Sequence, residues 1–257
     1  MTQSIFAGAA QTLTCTLYAG TIALGLTVGV IESVQAQTFQ FEWDRSDANL
    51  FHNTSKCSTC FNDLNLPLGL NDKPGVHEFI QTTYNQQTEA LSWTSAFSNS
   101  IVNGGWLVIS DGPNPKKHDQ EFAIFYLDGL NNKLTAYAYN GQNNSKSWQT
   151  NPFLQSWDNA LTFTDDGNGN TALSFSIDAS AINDRNDLGA AWQGIGFGEE
   201  VGIWFHAANI KTLQYDANDH LTAVKWGKAG WYDTGALDTE DVQIPEPGTI
   251  LGLLAIV

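Results

Sequence analysis

Several short stretches carry the residue types of known chemistries, and each lacks a piece that its chemistry needs. His77-Glu78-Phe79-Ile80-Gln81 opens like a helical zinc pair, but Gln81 stands where the second imidazole is required and the stretch alternates as a strand. Asp166-Gly167-Asn168-Gly169-Asn170 opens like a calcium loop. Thr171 then replaces the turning glycine and Ile177 the bidentate glutamate, so a tight hairpin is expected instead. Gly194, Gly196 and Gly198 are spaced like a phosphate cradle, yet Glu199 and Glu200 follow and would repel a pyrophosphate. No Gly-x-Ser-x-Gly elbow is present. Cys57 and Cys60, in Lys-Cys-Ser-Thr-Cys, lack the second pair of a zinc ribbon, and Phe61 stands where haem attachment needs histidine. In an oxidising compartment the simplest expectation for them is a local disulfide.

What remains is chemistry suited to sugars. The chain has nine Trp, seven Tyr and fourteen Phe, more than catalysis explains, and most belong in a core. Trp93, Trp106, Trp204 and Trp226 lie inside strand-like runs. Trp148 and Trp157 instead bracket the polar stretch Gln149 to Ser156, just after Asn140 and Gln142, and Trp231 falls in a turn-like stretch. A flat ring covers the C–H face of a sugar while amides bind its hydroxyls, so Trp148, Trp157, Asn140, Gln142 and Trp231 form the candidate ligand-binding set. The alternative for these rings is to plug the end of the fold. No cofactor motif is present. Calcium is the one ion that acid-rich loops around Asp111, Asp119 and Asp128 could take from dispersed oxygens. His52, His118, His206 and His220 are scattered without ligand spacing.

The elements that must position these residues read as strands. Thr38–Trp43, Val76–Tyr84, Glu89–Phe97, Trp106–Ser110, Glu121–Leu127, Lys133–Tyr139 and five later runs alternate with period two, the signature of a pleated surface buried on one face. In the second run Val76, Glu78, Ile80 and Thr82 are expected together; in the third, Leu91, Trp93, Ser95 and Phe97. Asn-Gly and Asp-Gly pairs punctuate them. Only residues 178–187 suggest a short helix. The expected fold is all-β, a two-sheet β-sandwich over residues 37–240, jelly-roll-like in its connectivity.

The formal net charge of −16 argues against nucleic acid as a partner, because such a surface repels phosphate backbones. Residues 1–36 read as a signal peptide: Leu17 to Val34 is mostly small or apolar, and Val34-Gln35-Ala36 offers a cleavage site. Residues 241–257 break the strand pattern. Pro245-Glu246-Pro247 is followed by Ile250 to Val257, too short an apolar run to span a bilayer. This segment resembles the beginning of the PEP-CTERM sorting signal of exported bacterial proteins, in which the tripeptide precedes an apolar helix. The resemblance implies export, transient membrane association, processing by a membrane-embedded exosortase-type enzyme, and delivery to the cell surface or an extracellular polysaccharide matrix. The stretches 104–129, 134–148 and 194–208 are similar to a recurring β-domain cargo of such proteins, for which no activity is implied. Glu42, Asp44 and Asp47 also trace a faint outline that resembles the acidic strand of laminarinase-like enzymes, where retaining hydrolysis needs carboxyls about 5–5.5 Å apart. The expected function is a non-catalytic, carbohydrate-binding surface or matrix protein. The alternatives are a glycan-active hydrolase or lyase, and a purely structural surface protein.

Overall fold

The computed structural model describes residues 37–44, 75–112, 114–115, 120–141, 146–233 and 236–242. Cys57, Cys60, Gln142, Pro245, Glu246 and Pro247 lie outside the described residues.

The fold is all-β, with two sheets. In chain order the strands are β1 (Thr38–Asp44), β2 (Val76–Asn85), β3 (Ala90–Ser98), β4 (Gly104–Ser110), β5 (Glu121–Asp128), β6 (Lys133–Tyr139), β7 (Phe153–Asp158), β8 (Leu161–Asp165), β9 (Thr171–Asp178), β10 (Trp192–Gly194), β11 (Glu200–Tyr215), β12 (Leu221–Asp233), β13 (Leu237–Asp238) and β14 (Glu240–Asp241). Two single-turn helices interrupt them, α1 (Ser147–Thr150) and α2 (Ser180–Asn183). The first sheet runs β14-β1-β2-β3-β9-β8, and the second β12-β11-β4-β5-β6-β7, with β10 against β5 and β13 against β11. Neighbours are antiparallel except for β10 beside β5.

Period-two patterning explains the main core. Phe39, Phe41 and Trp43 of β1, Leu91, Trp93 and Phe97 of β3, and Leu173, Phe175 and Ile177 of β9 meet Leu107, Ile109, Phe125, Leu134, Ile203 and Phe205 of the facing sheet. Burial of this apolar surface is the dominant stabilising term. The expected face of β3, Leu91 to Phe97, is buried as a set. That of β2 is not. A register shift between His77 and Phe79 swaps the parity, so His77 turns inward and stacks on Phe97 at 4.7 Å while Glu78 turns outward. An extra residue in one strand has this consequence for every side chain beyond it.

The second sheet differs from a one-sided sandwich layer, because β4, β5 and β6 are buried on both faces. Its outer face carries a second core of Trp106, Val108, Phe122, Ile124, Tyr126, Tyr137, Tyr139 and Trp204. The long β11–β12 hairpin curls over this face, helped by register shifts between Ala208 and Thr212 that bend it. Ile210, Leu213 and Leu221 thereby join the second core, with Trp148, Phe153 and Trp226 packed at its margin. Polar contacts hold the hairpin tip down. The Leu221 amide donates to Tyr137 Oη (2.7 Å), and Tyr215 Oη donates to Asp128 Oδ2 (3.0 Å). Lys133 Nζ reaches Asp158 Oδ1 at 2.8 Å and Asp219 Oδ1 at 2.5 Å, and lies 4.8 Å from the centre of the Tyr215 ring. Burial lowers the affinity of Lys133 for its proton, but the two aspartates outweigh this and hold it above the ordinary lysine value.

Candidate functional site

The two tryptophans expected to share a groove do not meet. Trp148, on α1, packs against the second core on the outer face of the second sheet. Trp157, on β7, packs against the inter-sheet core, 6.2 Å from the Phe125 ring. The stretch between them is not a loop: it holds the end of α1 and most of β7, an edge strand paired with β6. Phe153 faces outward and Leu154 inward, and a register shift in the β6 pairing lets Trp157 face inward as well, so the sheet lies between the two rings. Asn140 is exposed just past the end of β6. Trp231 is in strand rather than turn, opposite His206 in the β11–β12 ladder, because pairing with β11 carries β12 on to Asp233.

Two of the calcium candidates are likewise apart, and the third, Asp119, lies outside the described residues. Asp111 follows the last residue of β4, whereas Asp128 pairs with Gly104, the first. Asp128 is fully buried and occupied as an acceptor for the amides of Leu130 and Asn131 and for the Tyr215 hydroxyl. Among the described residues no three His, Cys, Asp or Glu side chains gather as metal ligands. The 166–170 segment is the expected hairpin, between β8 and β9, with Asp166 accepting from the amides of Asn168 and Asn170. Those bonds hold its carboxyl below the ordinary aspartate value. Glu42 and Asp44 share the exposed face of β1, with Trp43 buried between them, and Glu42 accepts from Gln81 Nε2 at 2.8 Å.

A different site emerges at one end of the two sheets. A cleft of about 390 Å³ is lined by Tyr84, Gln86, Glu89, Asp111, Gln120 and Phe122, and by Asn183 and the segment 193–197. The Gly-x-Gly-x-Gly stretch builds one wall. Its apolar side chains and its glycines face opposite ways. Ile195 and Phe197 are each 2% exposed and anchor the segment in the inter-sheet core. The glycines face the other side, where each position touches a different side chain. A Cβ at Gly194 would overlap Asn183 Oδ1, one at Gly196 would lie 2.7 Å from Tyr84 Cζ, and one at Gly198 would lie 3.2 Å from Gln86 Nε2. The glycines are thus close-approach residues for a polar wall, rather than a phosphate loop.

Asn183 is the keystone of that wall. Its side chain accepts from the Ile195 amide (2.8 Å) and donates to the Ile195 carbonyl (3.0 Å) and Tyr84 Oη (3.2 Å). It sits at the end of α2, which follows β9 directly; the Ala179 amide that starts this turn donates to the Glu89 carbonyl at 2.9 Å. The Tyr84 phenol is pushed up to about 12 by burial, with the charge of Glu89 adding to the effect, so it is a neutral hydroxyl at ordinary pH. Glu89 itself closes the β2–β3 turn with φ of +52°, after Asn85 Oδ1 has accepted from the amides of Gln87 and Thr88. On the cleft floor Tyr84 and Phe197 pack with ring centres 5.8 Å apart. Asp111 Oδ1 accepts from the Gly198 amide at 2.8 Å and fixes the far rim.

Chemically, the cleft offers four amide side chains, one neutral phenol and two carboxylates around an aromatic floor. None of its members belongs to the ligand-binding set expected from the sequence. The readable signal was the period-two Gly-Ile-Gly-Phe-Gly, which sets apolar side chains against positions that bear none. No family model, no curated protein and no solved structure matches this chain.

Proposed function

We propose that this chain is an exported cell-surface or matrix protein whose β domain is a non-catalytic carbohydrate-binding module, with the ligand in the cleft beneath the 193–198 segment. The observation that carries the reading is the convergence of Gln86, Gln120, Asn183 and Gln193 on a cleft floored by Tyr84 and Phe197. Each amide offers donors and acceptors together, which matches paired sugar hydroxyls, and a ring floor suits a sugar's C–H face. Pro245-Glu246-Pro247 and the apolar residues on either side of the domain support export and processing by an exosortase-type enzyme. Jelly-roll-like connectivity belongs to the same reading. It is supported by the orders β14-β1-β2-β3 and β11-β4-β5-β6, in each of which a later strand returns beside the first of three consecutive ones, as in a Greek key.

Glycan-array binding of the full chain, beside a Gln86→Ala/Gln193→Ala variant, tests the ligand. Both side chains are exposed, so the variant is expected to keep its urea midpoint and lose at least tenfold in affinity. Retention of no glycan overturns the reading. Glu89 and Asp111 line the same cleft and favour one second reading, a glycan hydrolase. Release of new reducing ends from a bound glycan, lost in Glu89→Gln and Asp111→Asn, would establish it in place of simple binding. Mass spectrometry of the surface fraction of the native host tests processing, the expected cut falling at residues 245–247.

A further inference from the structure

The cleft does not end at its own rim. A second cleft, of about 540 Å³, shares Gln86 and Asp111 with it and adds Phe39, Glu199, Glu200 and Asp238. A third, of about 530 Å³, shares Asp238 with the second and continues past Gln40, Glu42 and Glu240. Each alone has the size of a small-molecule site. Their common residues set the three side by side as one groove-like surface, from the α2 end of the domain to the edge where β1 pairs with β14.

Among the described residues the lining of this groove has one sign of charge. Glu89, Asp111, Glu199, Glu200, Asp238, Glu42 and Glu240 line it in turn, and none of the lysine or arginine side chains among the described residues does. Resting on the carbohydrate reading of the first cleft, we infer that the ligand is an extended glycan chain of uncharged or amine-bearing sugars, laid along all three clefts, and that uronic-acid and sulfated chains are refused. An anionic chain on this path would meet successive carboxylates within about one Debye length, and these repulsions compound to at least a tenfold penalty. Hydroxyls meet carboxylates as good acceptors, and a protonated amine meets them as counter-ions.

Gly198 stands at the junction of the first two clefts. Its backbone is in a conformation open to any residue, and a Cβ there would meet only the ends of Gln86 and Asp111. A branched side chain at 198 would narrow the passage, the ends of Gln86 and Asp111 giving way by a few tenths of an ångström.

The test is titration calorimetry of the full chain with a length series of neutral hexose oligomers, the corresponding glucosamine oligomers and uronic-acid oligomers, repeated for Gly198→Val and for Glu199→Gln/Glu200→Gln. Affinity is expected to rise with chain length, and Gly198→Val to flatten that rise. Uronic-acid oligomers are expected to bind at least tenfold more weakly than neutral ones, the gap narrowing in the Gln variant. Length-independent binding, or uronic acids bound as well as neutral sugars, overturns the extended-chain inference and leaves the single-cleft reading standing. Retention of a lysine-rich peptide with no oligosaccharide bound overturns both. A Gly198→Val chain with a lowered urea midpoint shifts the decision to the charge variant, whose exposed positions do not disturb the core.

Discussion

Gly194 and Gly167 share a left-handed backbone, with φ of +68° and +74°, but not their surroundings. Nothing lies within 4 Å of a Cβ added at Gly167, whereas one at Gly194 would overlap the Asn183 amide oxygen. Replacing either glycine by alanine costs about 1–2 kcal/mol for the left-handed conformation. At Gly194 the methyl must also displace Asn183, which holds three hydrogen bonds, to the amide and carbonyl of Ile195 and to Tyr84 Oη. At about 1 kcal/mol each, their loss adds about 2–3 kcal/mol. Gly194→Ala is therefore expected to cost about 3–5 kcal/mol in all, against about 1–2 for Gly167→Ala. Urea unfolding followed by tryptophan fluorescence reads the difference, about 1–1.5 M in midpoint at a slope of about 2 kcal/mol/M. A double-mutant cycle isolates the cause: in an Asn183→Ala background the overlap is gone, and Gly194→Ala should cost only the conformational term, a coupling of about 2 kcal/mol. Equal costs for Gly194→Ala and Gly167→Ala, or additivity with Asn183→Ala, would refute the idea that these glycines are retained for close approach.

Three further outcomes are expected. Asp158→Asn and Asp219→Asn, at carboxylates 68% and 49% exposed, should each cost about 0.5–1 kcal/mol, but the double variant leaves the Lys133 ammonium, only 8% exposed, without an anion and should cost about 3–5 kcal/mol in chemical denaturation. Burial raises the phenols of Tyr84, Tyr126, Tyr137, Tyr139 and Tyr215, so their contribution is complete below pH 10, the unfolded value, and for Tyr84 is lost as pH climbs from 10 to about 12. Stability should fall steeply in that window, with tyrosinate absorbance appearing together with unfolding rather than before it. Trp148→Ala and Trp157→Ala should be additive within about 0.5 kcal/mol, since the rings sit on opposite faces of the second sheet; a clear coupling between them would contradict that placement.

Much of the fold is legible because strand chemistry is local. The buried set of β3, Leu91 to Phe97, follows from alternation, and the Asp166–Asn170 hairpin from side chains that bond their own backbone two and four residues on. Where the local rule fails, the cause is visible. One register shift in β2 exchanges the positions of His77 and Glu78, and nothing in the residues themselves announces it. The continuous apolar run Phe122 to Leu127 does announce a strand buried twice, but what covers its outer face is a hairpin whose tip lies some ninety positions further along the chain. Trp148 and Trp157 show the limit for sites. Nine residues of separation suggest proximity, and a sheet passes between them.

By itself the sequence determines that this chain makes strands rather than helices, that it carries a net charge of −16, and that positions 194, 196 and 198 bear no side chain. These follow from side-chain size, backbone freedom and charge, which each residue carries wherever it sits. Which side chains occupy the space those glycines leave, and which amides and acids then meet around it, was decided by the tertiary structure alone. Asn183, Tyr84 with Gln86, and Asp111 come from three separate segments, and only the pairing of β2 with β3, β3 with β9 and β4 with β5 closes those long loops onto one end of the sandwich.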